Sequence, residues 1–347
     1  MKTIKNEFSS DHGAVTVVEL VNNSGASAKL SSVGAGIVGI YVPDRDGNLR
    51  EVVLAYEDYG NSYFGDGPCL GKTPGRYANR IALGKFTLDG HAYQLACNNG
   101  PNHLHGGPTG FQNQIWDVET PCPGTVRFSL TSPDGHENYP GTMKVSVTYT
   151  WSEDCTLGIQ YEATTDAPTV INLTNHVYFN LHGVKEANGL EHTLQINASK
   201  WLPTNESLAP TGEMAPVAGT PMDFTKPKLV GQDIKEDFTA LKYGKGYDNC
   251  WVLDNPGMET VAAHMESARS GIALDVYTDQ PSVQVYTGNY LDGCPTGEGG
   301  VTFHDYDGVA IECQGMPDAP NHPNFPSQVL RPGEIYRRAI AFKFSNI

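Results

Sequence analysis

"KFTLDGHAYQL", residues 85–95, reads as two short strands and the turn between them. Phe86 and Leu88 alternate with polar residues on the way in, and Tyr93 and Leu95 on the way out. Between them Asp89-Gly90 supplies two positions that tolerate positive φ, as a two-residue hairpin turn demands. The same alternation returns in "TMKVSVTYTW" (142–151), "TLGIQYEATT" (156–165), "SVQVYTGNYL" (282–291) and "GVAIECQG" (308–315). Amphipathic helical periodicity is scarce. With 38 glycines and 23 prolines as punctuation, the pattern predicts an all-β chain with few helices, folded as a large antiparallel β-sandwich.

A length of 347 residues taken alone favours about two domains, but large β folds are the standing exception. No internal repeat, low-complexity tract or charge block marks a linker. The proline-rich stretches 202–224 and 319–334 hold the apolar anchors Phe224, Phe325 and Leu330, so they read as ordered surface loops. A single domain over residues 1–347 is the expectation.

A formal charge of -16 repels phosphate backbones and anionic lipid heads, which argues against nucleic acid or a membrane as partner and leaves a small neutral ligand unaffected. Seven cysteines, an odd number with no C-x-x-C pair, indicate neither a zinc ribbon nor a disulfide framework. The N-terminal "MKTIKNEFSSDHG" has no apolar core of a signal peptide, and "VGAGIVGIYV" (33–42) is too short and glycine-broken to span a bilayer. A cytoplasmic protein with reduced thiols is the simplest reading, and the N-x-S/T matches at Asn22, Asn172, Asn197 and Asn205 are then coincidental.

Strand alternation also sorts polar groups. In "NLTNHVYFNL" (172–181), Leu173, Val177, Phe179 and Leu181 point one way, and Asn172, Thr174, His176, Tyr178 and Asn180 the other. The second set suits an oxygen-rich ligand, while Asn175 falls on the apolar side and needs backbone partners. In "GVAIECQG", Glu312 projects opposite Val309, Ile311 and Cys313, and in "SVQVYTGN", Gln284 and Tyr286 project opposite Val283 and Val285. Arg80 in "GRYANRI" is out of phase with Asn79, and Asp248 stands at the mouth of the strand in "GYDNCWVL". Each has an ordinary structural explanation: strand glutamates are usually solvated, hairpin-end arginines usually make surface ion pairs, and a lone histidine is as often structural as catalytic. "NHLHGG" puts His103 and His105 on one face, as a metal pair would be, yet no nearby acid or cysteine completes a site, and we expect no metal. No G-x-S-x-G, P-loop or dinucleotide fingerprint is present.

Together, "GRYANRIALGKFTLDGHAYQLACNNGPNHLHGGPTGF", "NLTNHVYFNL", "GYDNCWVL", "QVYTGNYL" and "IECQGMPDAPNHPNFPSQVLRPGEIY" resemble, in order and approximate spacing, the aldose 1-epimerases or galactose mutarotases. The resemblance covers nearly the whole chain. It implies a galactose mutarotase-like supersandwich that interconverts the α and β anomers of free aldohexoses without a cofactor. By motif, His176 resembles the family's general acid and Glu312 its general base. Asn79, Arg80, His105, Asp248 and Gln284 look like its sugar-binding residues, with Tyr178 as a further wall. Cys250 departs from the polar residue often found there, which bears on fine specificity.

The implied chemistry needs one base and one acid at the same pH, and a carboxylate with an imidazolium fits, their reference pKa values being about 4.3 and 6.5. Partial desolvation is expected to make Glu312 more basic, and Asp248 and Glu312 are expected to favour the charged form of His176. Rival readings are a hexose-6-phosphate mutarotase, which calls for an Arg/Lys cluster absent beside these motifs, and a non-catalytic sugar-binding module, which would have lost one of the pair. A glycoside hydrolase would use Asp248 and Glu312 and leave His176 idle. The substrate is expected to be a monosaccharide, and the sequence leaves monomer and homodimer equally open.

Overall fold

In the computed structural model, which describes residues 1–186 and 188–347, the polypeptide is built from antiparallel strands with one short α-helix, Thr239–Gly244, among the described residues. Its largest sheet has nine strands, running from Asp117–Glu119 through Thr125–Ser132, Met143–Trp151 and Thr156–Thr165 to the C-terminal Tyr336–Asn346, then Ile272–Thr278, Gly257–Glu266, Thr193–Ile196 and Lys228–Leu229. A six-stranded sheet is ordered Tyr178–Phe179, Val309–Gln314, Ser282–Tyr286, Asp248–Val252, Lys200–Leu202 and Ala215–Pro216. Five strands within residues 2–51 make a third sheet. No helix among the described residues is long and apolar enough to cross a membrane.

One apolar cluster joins the three sheets. It takes Leu274, Val276, Phe342 and Phe344 from the largest, Val283, Val285, Ile311 and Trp251 from the second, and Val18, Leu20 and Ile40 from the N-terminal one. Phe179 meets Phe342 across the layers with ring centroids 5.0 Å apart. This is sheet-on-sheet packing driven by the inward half of each alternating strand. The 85–95 hairpin forms as its sequence dictates, Phe86 opposite Tyr93, with Asp89 and Gly90 at φ +49° and +82°.

The segment 172–181 departs from the expected two-faced strand. Only Tyr178–Phe179 is strand, and both sets of side chains are buried. Its main chain pairs irregularly with residues 71–78: the Asn172 and His176 amides donate to Arg76 O and Lys72 O. The asparagines are consumed by backbone satisfaction. Asn172 Nδ2 donates to Ala78 O and Gly315 O, Asn175 Nδ2 to Gly71 O, and Asn180 Nδ2 to Asp307 O. Packed between two layers, the stretch is a polar seam, and of its hydrogen-bonding face His176 and Tyr178 reach a cleft.

Candidate active site

The six-stranded sheet displays its polar face in cross-strand rows. Cys250, Gln284 and Glu312 are direct neighbours across three strands, and the next row holds Asp248, Tyr286, Ala310 and Tyr178. Opposite pairs in an antiparallel ladder share a face, so residues distant in sequence converge because Val283, Val285 and Ile311 must occupy the core side. Loops roof this face into a cleft of about 410 Å³, lined among others by Asn79, Arg80, His105, His176, Asp248 and Glu312. The size suits a small ligand.

His176 and Glu312 lie on the floor, 5% and 2% exposed, with Nε2 3.4 Å from Oε1. Burial, reinforced by the Asp248 charge, pushes the Glu312 carboxyl well above its ordinary range, as expected. The expectation for His176 is reversed. Burial drives its imidazole down to about 4, and although Asp248 favours the charged form, that attraction is the smaller effect. Burial thus disfavours carboxylate and imidazolium together, because a desolvated ion pair loses hydration that its mutual attraction must offset.

Asp248 has both oxygens held: Oδ1 accepts from Gln284 Nε2 at 2.6 Å and Oδ2 from Arg80 at 3.3 Å. Arg80 also donates to Asn99 Oδ1 at 3.2 Å. Gln284, expected as a sugar ligand, is not among the residues lining the cleft and instead orients Asp248 from below. Cys250 likewise lies beneath, packed with Leu202, Met316 and Phe325. Tyr178 contributes its ring to the wall, 5.0 Å from His176 between centroids, while its hydroxyl donates to Pro68 O.

His103 and His105 do not share a face. His105 adopts φ +55°, which breaks the alternation and turns it to the cleft. His103 goes inward, with ring nitrogens on Ala96 O and the Tyr139 hydroxyl, each at 2.7 Å. His105 Nδ1 accepts the Asn79 amide at 3.1 Å, and burial keeps the ring neutral, so its proton sits on Nε2 as a donor. His105, His176 and Glu312 bring donor atoms within 4.8 Å of one another. With the Nε2 of His105 protonated, the set offers a hydroxyl-binding donor where a metal needs a lone pair. Asn99, Leu104, Leu208 and Tyr290, which the sequence did not single out, and Tyr286, to which it gave no site role, also line the cleft. Tyr286 was on the correct face of its strand; the loop residues carry no periodic signal.

Stacked antiparallel sheets thus carry a polar cleft whose floor is the buried His176–Glu312 pair. The aldose 1-epimerase family profile matches residues 16–343. The chain is 43% identical to the galactose mutarotase of Sus scrofa over 314 residues, 90% of each protein. It is 38% identical to the aldose 1-epimerase of Escherichia coli K12 over 331 residues, 94% of each. The crystal structure of galactose 1-epimerase from Lactobacillus acidophilus superposes with a TM-score of 0.88 at 30% identity, covering 100% of this chain and 99% of that one. The chain belongs to the aldose 1-epimerase family, enzymes that interconvert sugar anomers.

Proposed function

We propose that residues 1–347 act as one catalytic domain that interconverts the α and β anomers of free galactose and glucose, with Glu312 and His176 exchanging protons with the hemiacetal. The observation that carries this reading is the 3.4 Å contact between the two groups on the cleft floor. Glu312 as carboxylate takes the proton of the anomeric hydroxyl while His176 as imidazolium gives one to the ring oxygen. The bond from C1 to the ring oxygen breaks and the C1 carbonyl forms. The aldehyde rotates about C1–C2, and closure on the other face returns both protons. The neutral forms that burial favours differ from this state by one proton passed from Glu312 to His176 across the 3.4 Å contact; Asp248 stabilises the imidazolium and opposes the carboxylate. Asn79, Arg80, His105 and Asp248 hold sugar hydroxyls, and Tyr178 and Tyr286 wall the cleft. No group is transferred and nothing is oxidised or reduced, so the chemistry calls for no cofactor.

The lining includes one basic side chain besides histidine among the described residues, Arg80, already engaged by Asp248 and Asn99. This disfavours a phosphorylated sugar. The charge of -16 and seven unpaired cysteines support a cytoplasmic enzyme with no nucleic-acid or membrane partner. Polarimetry of freshly dissolved α-galactose and α-glucose tests the assignment: His176→Ala and Glu312→Gln should each lower kcat by about 10²–10⁴-fold. Folded variants that kept a third of wild-type kcat would remove both groups from the mechanism.

A further inference from the structure

Lys72 lies outside the cleft and is 0% exposed. Its ammonium is bound by the carboxylate of Asp66 and donates to Tyr63 O at 2.5 Å and Asn113 Oδ1 at 3.3 Å. The second oxygen of Asp66 accepts the Leu70 amide at 2.8 Å and the Tyr56 hydroxyl at 3.4 Å. A buried ion pair of this kind rarely adds stability over an apolar substitute, so its presence calls for another reason.

The main chain supplies one. His176 N–H donates to Lys72 O at 2.8 Å and His176 O accepts from Gly71 N–H at 2.9 Å. On either side, Asn175 Nδ2 donates to Gly71 O and the Tyr178 hydroxyl to Pro68 O. The turn 66–72 is thus the support on which His176 is mounted, and the Lys72 side chain cross-braces that turn to Asp66. Taking the role assigned above to His176, we propose that Lys72, braced by Asp66, is a positioning residue for that imidazole.

The placement has an electrostatic consequence. Facing His176 are Glu312 and Asp248 from the six-stranded sheet, His105 and Arg80 from the 80–105 region, and the phenols of Tyr178 and Tyr286. Lys72 is the buried cation behind it, and its charge opposes the imidazolium in addition to burial. Removing the charge should let His176 take up a proton at higher pH.

The test is the Asp66→Asn/Lys72→Gln double variant, which discards both charges and keeps hydrogen-bonding groups, with circular dichroism to verify folding. Mispositioning of the imidazole predicts a kcat lower by about tenfold or more with KM within about threefold. The acid limb of the kcat profile should also rise by about half a pH unit or more, a change that loosened structure alone does not produce. A folded double variant with wild-type kcat and an unmoved acid limb overturns the proposal. Should the double variant not fold, Asn113→Asp, which keeps both partners and adds a negative charge beside Lys72, decides: its acid limb must rise, and an unmoved limb overturns the proposal. Neither result bears on whether His176→Ala lowers kcat as stated above, so the two assignments fail separately.

Discussion

Gln284 Nε2 donates to Asp248 Oδ1 at 2.6 Å, so the amide that alternation aimed at the ligand is spent on orienting a carboxylate. With Arg80 on the other oxygen, Asp248 is held from two sides. Removing one hydrogen bond to a charged group costs about 1.5–3 kcal/mol when its partner stays buried. Gln284→Ala should therefore raise KM for galactose by about tenfold and change kcat by less than about threefold. Steady-state kinetics check this; an unchanged KM would mean that Asp248 does not contact the sugar in the productive complex.

The proposed mechanism works with one proton shared between His176 and Glu312, and this sets the pH profile. A second proton enters when the imidazole titrates, and burial moves that step below the ordinary histidine range, to about 4. The single proton leaves at the raised Glu312 step. Activity should hold as pH falls through 6.5 and decline only near about 4, whereas an exposed imidazole would give an acid limb near about 6.5. Initial rates over a pH series in constant-ionic-strength buffer discriminate, once the spontaneous rate at each pH is subtracted.

How much of this was legible depends on periodicity. The hairpin at 85–95 and the placement of Glu312 and Tyr286 follow from period-two alternation, because the core side of each strand is fixed by Phe86, Ile311 and Val285. His105 and the seam at 172–177 were misread for one physical reason. A positive φ at His105 and irregular pairing with residues 71–78 abolish alternation where the site is built. Lys72 was invisible because nothing local signals that a lysine in a loop will be buried against an aspartate six positions earlier.

One buried and one half-buried group away from the cleft predict opposite pH dependences of stability. His192 Nε2 accepts the Leu181 amide at 2.8 Å and Nδ1 faces Gly189 O at 2.9 Å, so the ring is held neutral, and burial lowers it to about 3. The unfolded chain takes up this proton first as pH falls below about 6.5, so stability present above that value is lost towards pH 3 at up to about 1.4 kcal/mol per pH unit. Glu51 runs the other way. Burial and the Glu298 charge raise it to about 7, so its stabilising neutral form is present below the unfolded carboxyl value and is lost as pH rises through 7. Urea unfolding should show a shallower acid-side decline in His192→Gln, and a gain for Glu51→Gln at pH 8 that vanishes at pH 4. Parallel curves for wild type and variants would contradict both.

Gly106 and Gly90 share a φ of +82°, which makes them a controlled pair for separating backbone strain from collision. A Cβ at Gly90 meets nothing within 4 Å, so Gly90→Ala should cost only the left-handed penalty of about 1–2 kcal/mol and leave kinetics unaltered. At Gly106 the same methyl would lie 1.8 Å from Gly75 O. That carbonyl cannot easily yield, because it accepts the Phe111 amide at 2.9 Å. The loop must move instead, and its neighbour is His105, whose Nδ1 is fixed on the Asn79 amide. Gly106→Ala should thus lower kcat/KM by about tenfold or more, through displacement of the donor that the proposed mechanism assigns to the sugar, in addition to losing stability. Thermal unfolding and kinetics on both variants separate the effects, and equal kcat/KM in the two would show that the His105 donor is not needed where this loop holds it.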